Sequence, residues 1–510
     1  METENSSRTG RFLRNSAATF LYRIILLLAG FVTPRIMLSY FGSEINGLVS
    51  SVAQFVSYLV LVEAGLSAAM TYALYKPLAD KDKDGISAVV SAAKKFYYKA
   101  GYLFLGLIVL LAVCFPLFVD NAPGNMGYMD IVLLVFISGV SGAIDMFTLA
   151  KYTALLNADQ KTYVISIASS VYTILNTVLI AVFSMLLFDI MIVKAVALLA
   201  VLARSVILVV YCKKRYPYLD HKAKPNYSAL NKRWDALFQQ VLGVVQNGAP
   251  MVILTTVTRD LVQNSIYAVY NMVVTGLNSI LSLFVSGLAA SFGEVIAKNE
   301  RKALQKAYGD FETAYYLIIS VVYAVAFVMI LPFVGVYTQG ITDAVYTDAT
   351  VGFLFVLNGL LYNIKTPQGM LVLSAGLYKE TRYRSLVQAL LIIVVGVPLA
   401  YFYGLVGVLL GLLASNIYRA IDLLFFIPKY VTGLPFWHTL KKWLVIAVNT
   451  ALTFGVFYLI QFPVDGYLSW IMLAVIIGVI CLGINVLMFA LTCPGDMKSL
   501  FGRVRRLIRK

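Results

Sequence analysis

NSAATFLYRIILLLAGFVTPRIMLSY, Asn15 to Tyr40, is long and apolar enough to cross a bilayer as a helix, yet it carries Arg23, Arg35 and a Thr33-Pro34 step. At 1.5 Å per residue the two arginines lie roughly 18 Å apart along the axis, so at least one sits within the hydrocarbon depth. A charge there costs about 3 kcal/mol on insertion scales, and such residues tend to face a bundle interior or a wet cavity. Ser16, Thr19, Arg23 and Gly30 share one narrow polar face. Arg35 falls off that face unless the helix bends at Pro34. Snorkelling of the two arginines to opposite interfaces is the alternative reading.

The rest of the chain has the same character. Of its 510 residues 60% are hydrophobic and 13% charged, about half the charge of a soluble protein, which makes it an all-α polytopic membrane protein. The net charge of +16 collects in links between apolar spans. It therefore reads as a topology signal and as contacts to anionic membrane lipids, with no nucleic-acid partner. Cys114, Cys212, Cys481 and Cys493 have no metal or redox spacing, and His221 and His438 both lie in basic links. The pattern calls for no metal and no cofactor.

About fourteen spans are expected, and the links between them alternate in basic content. Links from Lys76, Cys212, Lys298 and Lys429, the turns at Lys161 and Lys379, and the tail GRVRRLIRK are rich in Lys and Arg. Those around Gly42, Asp120 to Tyr128, Asp189, Gly335 to Asp348, Gly404 and Pro463 have neither, and Arg259 beside Asp260 is the exception. The positive-inside rule places both termini in the cytosol, with the first span as an uncleaved anchor. An internal repeat pairs Glu63–Met70 with Val285–Phe292 at an offset of 222 residues, Gly65 to Gly287. Tyr97-Tyr98 then meets Tyr315-Tyr316 after a link four residues shorter. Two lobes of like orientation follow. The expected division is a cytosolic tail 1–14, an N-lobe of six spans 15–215, a linker 216–233, a C-lobe of six spans 234–430, two extra helices 431–492 and a basic cytosolic tail 493–510.

Within the spans lie Arg23, Arg35, Glu63, Asp145, Lys151, Lys194, Arg204, Glu294, Lys365, Arg419 and Asp422. Lys365, beside Pro367, is placed where a bent helix lines a cavity. Arg419 and Asp422, three apart, can pair on one helix. Arg23, Arg204 and Lys365 balance Glu63, Asp145 and Glu294 in number, so mutual pairing stays open; two cations sharing a wet cavity would instead hold an anion. A cation 4 Å from a phosphate gains up to about 4 kcal/mol at an effective dielectric of 20, more than the insertion cost. Asp80-Lys81-Asp82 reads as solvated loop, and no phosphate-binding glycine loop, HExxH or soluble catalytic domain is present, so an enzyme is not expected.

The Arg-bearing first span, the run NGLVSSVAQFVSYLVLVEAGLSAAMTYALYKPLA from Asn46 to Ala79, the repeated GLxA, the link AKKFYYK and the fourteen-span layout resemble the bacterial polysaccharide transporter family. These are Wzx-type flippases of the multidrug/oligosaccharidyl-lipid/polysaccharide (MOP) exporter superfamily. The resemblance covers most of the chain and is best over residues 15–120. It implies two pseudo-symmetric six-helix bundles in a V around a central cationic cavity, two extra C-terminal helices and a place in the bacterial plasma membrane. The implied activity is alternating-access transfer of undecaprenyl-pyrophosphate-linked oligosaccharide to the outer leaflet for capsule, O-antigen or exopolysaccharide synthesis. Polysaccharide polymerase and glycosyltransferases are the implied protein partners. Arg23, Arg204 and Lys365, with Arg35 and Arg419 after them, are the expected pyrophosphate ligands; Glu63, Asp145 and Glu294 are ion-coupling candidates. The rivals are a MATE-like multidrug or cation exporter, in which those carboxylates would bind the cargo, and a membrane-embedded polysaccharide polymerase or ligase. The longest link of the second set, Gly335 to Asp348, offers such an enzyme only Asp343 and Asp348.

Overall fold

The structure, a computed structural model, describes residues 2–63, 65–120, 123–124, 126–220, 223–226, 233–285, 288–459 and 464–508. Ala64, Ser286 and Gly287 of the repeat, and His221, lie outside them. Every regular element among the described residues is helical, and eleven stretches are long and apolar enough to cross a membrane. Two of these, Phe12–Ala79 and Tyr378–Thr432, have 68 and 55 residues. A straight helix of 68 residues would reach about 100 Å, some three times the hydrocarbon thickness. Both turn back on a glycine whose φ is positive, Gly42 (φ 79, ψ 179) and Gly404 (φ 54, ψ −129), a conformation open to glycine at no steric cost. The first helix runs through Pro34 and breaks at Gly42 instead. With each of these stretches crossing twice, and Ala349–Ser374 crossing in two pieces, the described chain has fourteen membrane-length segments.

The chain divides into two compact units between Ser265 and Ile266. In the first, α1 (Glu2–Leu59) leads through a 3-10 turn (Val60–Glu63) and left-handed Gly65 into α2 (Leu66–Ala79). Then come α3 (Lys83–Cys114), α4 (Tyr128–Thr148), α5 (Ala150–Ala158), α6 (Thr162–Met185), α7 (Ile190–Arg215) and α8 (Arg233–Ile253). Helix α9 (Leu261–Val285) spans the division. The second unit continues with α10 (Leu288–Ala297), α11 (Arg301–Tyr337), α12 (Ala349–Ile364), α13 (Thr366–Ser374), α14 (Tyr378–Ile427), α15 (Trp437–Leu459), α16 (Tyr467–Thr492) and α17 (Pro494–Ile508).

The same order of elements recurs in both units. Helices α2 and α10 begin 222 residues apart, at Leu66 and Leu288, and α3 and α11 begin at Lys83 and Arg301, four residues closer. Helices α5 and α13 have nine residues each and follow breaks at Leu149 and Lys365. Asp82, Asp189 and Asp348 cap α3, α7 and α12 by accepting from Gly85, Met191 and Val351 N–H groups at 2.9, 2.8 and 3.0 Å, each cap being worth about 1 kcal/mol. The glycines of Gly407-x-x-x-Gly411 serve packing inside α14. A Cβ on Gly411 would lie 2.4 Å from the Gly396 Cα, so the two arms of the hairpin touch backbone to backbone.

The last three helices are fastened to α11 by polar groups. Asn449 Nδ2 donates to Ser320 Oγ at 2.8 Å, Trp470 Nε1 to the Met329 carbonyl at 2.9 Å and Asn485 Nδ2 to the Leu317 carbonyl at 2.9 Å. At one end Lys442 and Glu312, both with fully buried side chains, pair at 2.9 Å. Thr439 and Tyr308 hydroxyls donate to the same carboxylate, and Lys442 Nζ also reaches Asp496 of α17 at 2.9 Å. His438 stands between the two acids, 3.3 Å from Glu312 and 3.1 Å from Asp496. Burial works against ionisation of Asp496, but its bond to His438 and the charge of Lys442 hold its carboxyl below the usual carboxylate range. Losing one partner of such a pair leaves the other charge uncompensated. Lys442→Met is therefore expected to destabilise the protein by roughly 3–5 kcal/mol, read as a lower thermal unfolding midpoint in detergent, and Glu312→Gln added to it should recover part of that loss.

Candidate functional site

In the first unit, α1 lies along α6. Thr19 Oγ1 meets Ser166 Oγ at 3.1 Å, and Thr33 Oγ1 meets Thr177 Oγ1 at 3.3 Å. Asn15 fixes the start of this contact by donating to the Gln160 carbonyl at 2.8 Å and accepting from the Tyr163 N–H at 3.0 Å. Arg23 follows eight residues, or about 12 Å, further into the span. It is exposed and has no ion pair or hydrogen bond among the described residues. Arg35 is half-buried, beside the contact made by Thr33.

Arg204 of α7 donates from Nη2 to Asp145 Oδ2 on α4 and lies 4.9 Å from the Tyr172 ring centroid. The pair is incompletely satisfied: Asp145 Oδ1 and Arg204 Nε are buried with no partner. Glu63 sits near enough for Asp145 to act on its charge, and it makes no ion pair among the described residues. It lines a cleft of about 560 Å³ with Ser67, Thr71, Tyr72, Tyr75 and Asn157. Carboxylate, hydroxyl, amide and two tyrosine rings on one wall suit either a cation or the hydroxyl edges and flat faces of sugars.

In the second unit the break between α12 and α13 presents Lys365, about 26 Å along the span from its Asp348 cap. Its Nζ donates to Asn416 Oδ1 at 2.7 Å and lies 5.3 Å from the Tyr362 ring; it has no carboxylate partner among the described residues. Asn416 in turn donates to Asn358 at 3.1 Å, and Asn358 to the Leu354 and Leu409 carbonyls, so the lysine rests on an amide chain tied to two helices. One turn further along α14, Arg419 pairs with Asp422 at 2.7 Å, and Arg384 binds the other oxygen of that carboxylate. Two arginines thus share one acid, while Lys365, beside Arg419, rests on an amide, so basic side chains outnumber acids here.

The expected residues are distributed unevenly. Among the described residues Arg23 and Lys365 are cations without acid partners, whereas Arg204 and Arg419 are each tied to a carboxylate. Glu294 pairs with Lys298 at 2.5 Å, four residues on and exposed at the end of α10. Tyr270 is buried and donates to the Tyr346 carbonyl at 2.7 Å, so it is a packing residue, in contrast to the cleft tyrosines Tyr72 and Tyr75. Sequence reasoning passed over Arg384, assigned to a basic turn, and the amides Asn358 and Asn416. It also passed over a correspondence: Arg204 and Arg419 each lie fourteen residues beyond the first residue of the last helix in their repeat, Ile190 and Leu405. Aligning the repeats past the tyrosine pairs would have found it. Arg259 is explained by its 2.9 Å ion pair with Asp120.

No protein-family model matches the sequence, and no curated protein does. Among solved structures, the lipid II flippase MurJ in an inward closed conformation is similar, with a TM-score of 0.69 and 18% identity over 93% of this chain and 98% of that one. This chain shares the fold of that flippase. An inward-facing multidrug resistance MATE family transporter of the MOP superfamily gives a TM-score of 0.64 and 14% identity, over 85% of this chain and 98% of that one. A MOP superfamily transporter from Pyrococcus furiosus, whose title describes a binding pocket of reverse polarity, gives 0.57 and 16%, over 86% and 96%. One solved protein of this fold is thus described by a pocket of reversed polarity, and the charges of this chain must be read from its own residues. For the Arg204–Asp145 pair, Arg204→Ala is expected to lower the thermal midpoint and the yield of folded protein, and Asp145→Asn in the same chain to restore most of both.

Proposed function

We propose that the protein is a flippase for lipid-linked oligosaccharide, carrying a polyprenyl-pyrophosphate sugar from the cytosolic to the outer leaflet by alternating access. The observation that carries this reading is the excess of cationic side chains near Lys365: Arg384 and Arg419 share the single carboxylate of Asp422, and the lysine itself is held only by an amide oxygen. A pyrophosphate brings the missing negative charge, and one cation 4 Å from it gains up to about 4 kcal/mol at an effective dielectric of 20. Arg23 of the first unit, unpaired among the described residues, supports the same chemistry, and Arg35, Arg204 and Arg419 are secondary ligands in the proposal. Sugar hydroxyls cannot enter hydrocarbon unsatisfied, since each costs several kcal/mol. The cleft beside Glu63, with Tyr72 and Tyr75, offers them acceptors and ring faces.

The basic ends of the helices are taken as cytosolic in a bacterial plasma membrane. An inside-negative potential then favours outward movement of the anion by about 2.3 kcal/mol per charge per 100 mV. Glu63 and Asp145, close together and with one buried oxygen of Asp145 unpartnered, are assigned to a coupling cation. The same Glu63, without an ion pair among the described residues, is the feature that favours the second reading, export of an organic cation.

Translocation of a fluorescent polyprenyl-pyrophosphate oligosaccharide in proteoliposomes tests the proposal. Arg23→Ala and Lys365→Met are each expected to slow it by roughly tenfold or more, the worth of about 1.4 kcal/mol, with Arg23→Lys retaining part of the rate. Wild-type rates in both neutral variants at normal expression would sink the assignment, and expulsion of an organic cation with no movement of glycan lipid would favour the second reading.

A further inference from the structure

Three links at the basic end of the second unit, 298–300, 375–377 and 428–433, converge on a cleft of about 420 Å³ that the transport proposal does not use. Arg301, the first residue of α11, and Lys429, in the π-helical turn Pro428–Thr432, both line it. Both side chains are exposed, and neither has an ion pair or a hydrogen-bond partner among the described residues. The arginine is nevertheless held in place. Gly433 has φ +66, and a Cβ there would lie 2.0 Å from Arg301 Nη2 and 2.9 Å from its Cζ, so the guanidinium rests against the bare glycine backbone. Gln305 Nε2 donates to the Thr432 carbonyl at 2.9 Å and ties that turn to α11. Lys429 Nζ lies 5.4 Å from the ring of Tyr430, which is itself stacked on Phe426 at 4.5 Å.

The positive end of the 37-residue helix α11 opens at the same place. The one acid on the lining is Glu300, also without an ion pair among the described residues. Below the charged rim the wall is apolar, with Val295, Leu304 and Leu377. A forked donor, a point cation and a helix N-terminus around one mouth match the several oxygens of a phosphate better than the two of a carboxylate. The apolar wall beneath suits the glycerol or carbon skeleton esterified to it.

We propose that this cleft binds a phosphate ester at the basic face of the membrane, held by Arg301 and Lys429 and weakened by Glu300. The group has two sources, the headgroup of an anionic phospholipid or a soluble phosphorylated compound. The proposal does not depend on what the protein transports.

The test uses the purified full chain in detergent. Retention of phosphatidylglycerol against phosphatidylcholine is read by native mass spectrometry, and binding of glycerol 3-phosphate by calorimetry. Arg301→Gln and Lys429→Gln are each expected to weaken binding about fivefold or more, with Arg301→Lys intermediate and Glu300→Gln tighter than wild type. Lys498→Gln, an exposed change on α17 outside the cleft, should leave binding unchanged. Selective retention of phosphatidylglycerol that glycerol 3-phosphate fails to displace identifies the lipid as the source. Glycerol 3-phosphate binding with the same order of variants and no selective lipid retention identifies the soluble one. If Lys498→Gln weakens binding as much as Arg301→Gln, or if no cleft variant alters the binding of either probe, the site does not exist. Should Arg301→Gln unfold, Lys429→Gln and Glu300→Gln, which move binding in opposite directions, decide the matter.

Discussion

A charge buried inside a helical bundle has to be compensated, and the described structure is arranged around how each one is. Glu312 and Lys442 do it completely: both are fully buried, joined at 2.9 Å, and their remaining capacity is taken by Thr439, Tyr308 and Asp496. That network behaves as a rivet between α11, α15 and α17. Arg204 and Asp145 do it partly, leaving a buried nitrogen and a buried oxygen unbonded. Near Lys365 one carboxylate serves two arginines, and the lysine has no acid among the described residues. The gradient from closed to open networks separates structural charge from charge available to a ligand.

Backbone breaks fall where the open networks are. Lys365 occupies the junction of α12 and α13, Glu63 ends the 3-10 turn before α2, and Asp145 lies one turn before the break at Leu149. A continuous helix hides its peptide groups, whereas a break frees carbonyls and N–H groups that only water, protein or a ligand can satisfy. Placing ionisable side chains there concentrates polarity at a few points and leaves the rest of each span to apolar packing, as in the core formed by Leu66, Tyr97, Leu155 and Cys212.

Much of this was legible in the sequence, for physical reasons. Hydropathy fixes the spans and the alternation of basic links orders them, because both follow from transfer energies that act on each segment by itself. The repeat was legible through small residues and paired tyrosines. Lys365 was recognisable because Pro367 announces a break. Leu149, its counterpart, has no proline, and Gly42 ends the first crossing where Pro34 was the more visible signal; nothing local distinguishes a proline a helix can absorb from a glycine at which it turns. Pairing was the least legible property. Whether Arg204 meets Asp145, or Arg384 shares Asp422 with Arg419, depends on which helix faces lie side by side, and that is a tertiary fact. Glu312 and Lys442 escaped notice because their segments look like hydrophilic links and become interior only when α11 and α15 extend past the apolar stretch.

The four-residue difference between the repeats is confined to one element. The connections after α2 and α10 are three residues each, 80–82 and 298–300, so the whole difference is that α2 has fourteen residues and α10 ten. Four residues are close to one turn of helix. Losing or gaining them shortens the rod by about 6 Å while turning its far end by only some 40°, so the next helix leaves in nearly the same direction. Tyr97 and Tyr315, one from each copy, are accordingly both buried. An ancestral duplication can drift in length at such a place and keep its two halves superposable, whereas a change of two residues would have pointed α11 the wrong way.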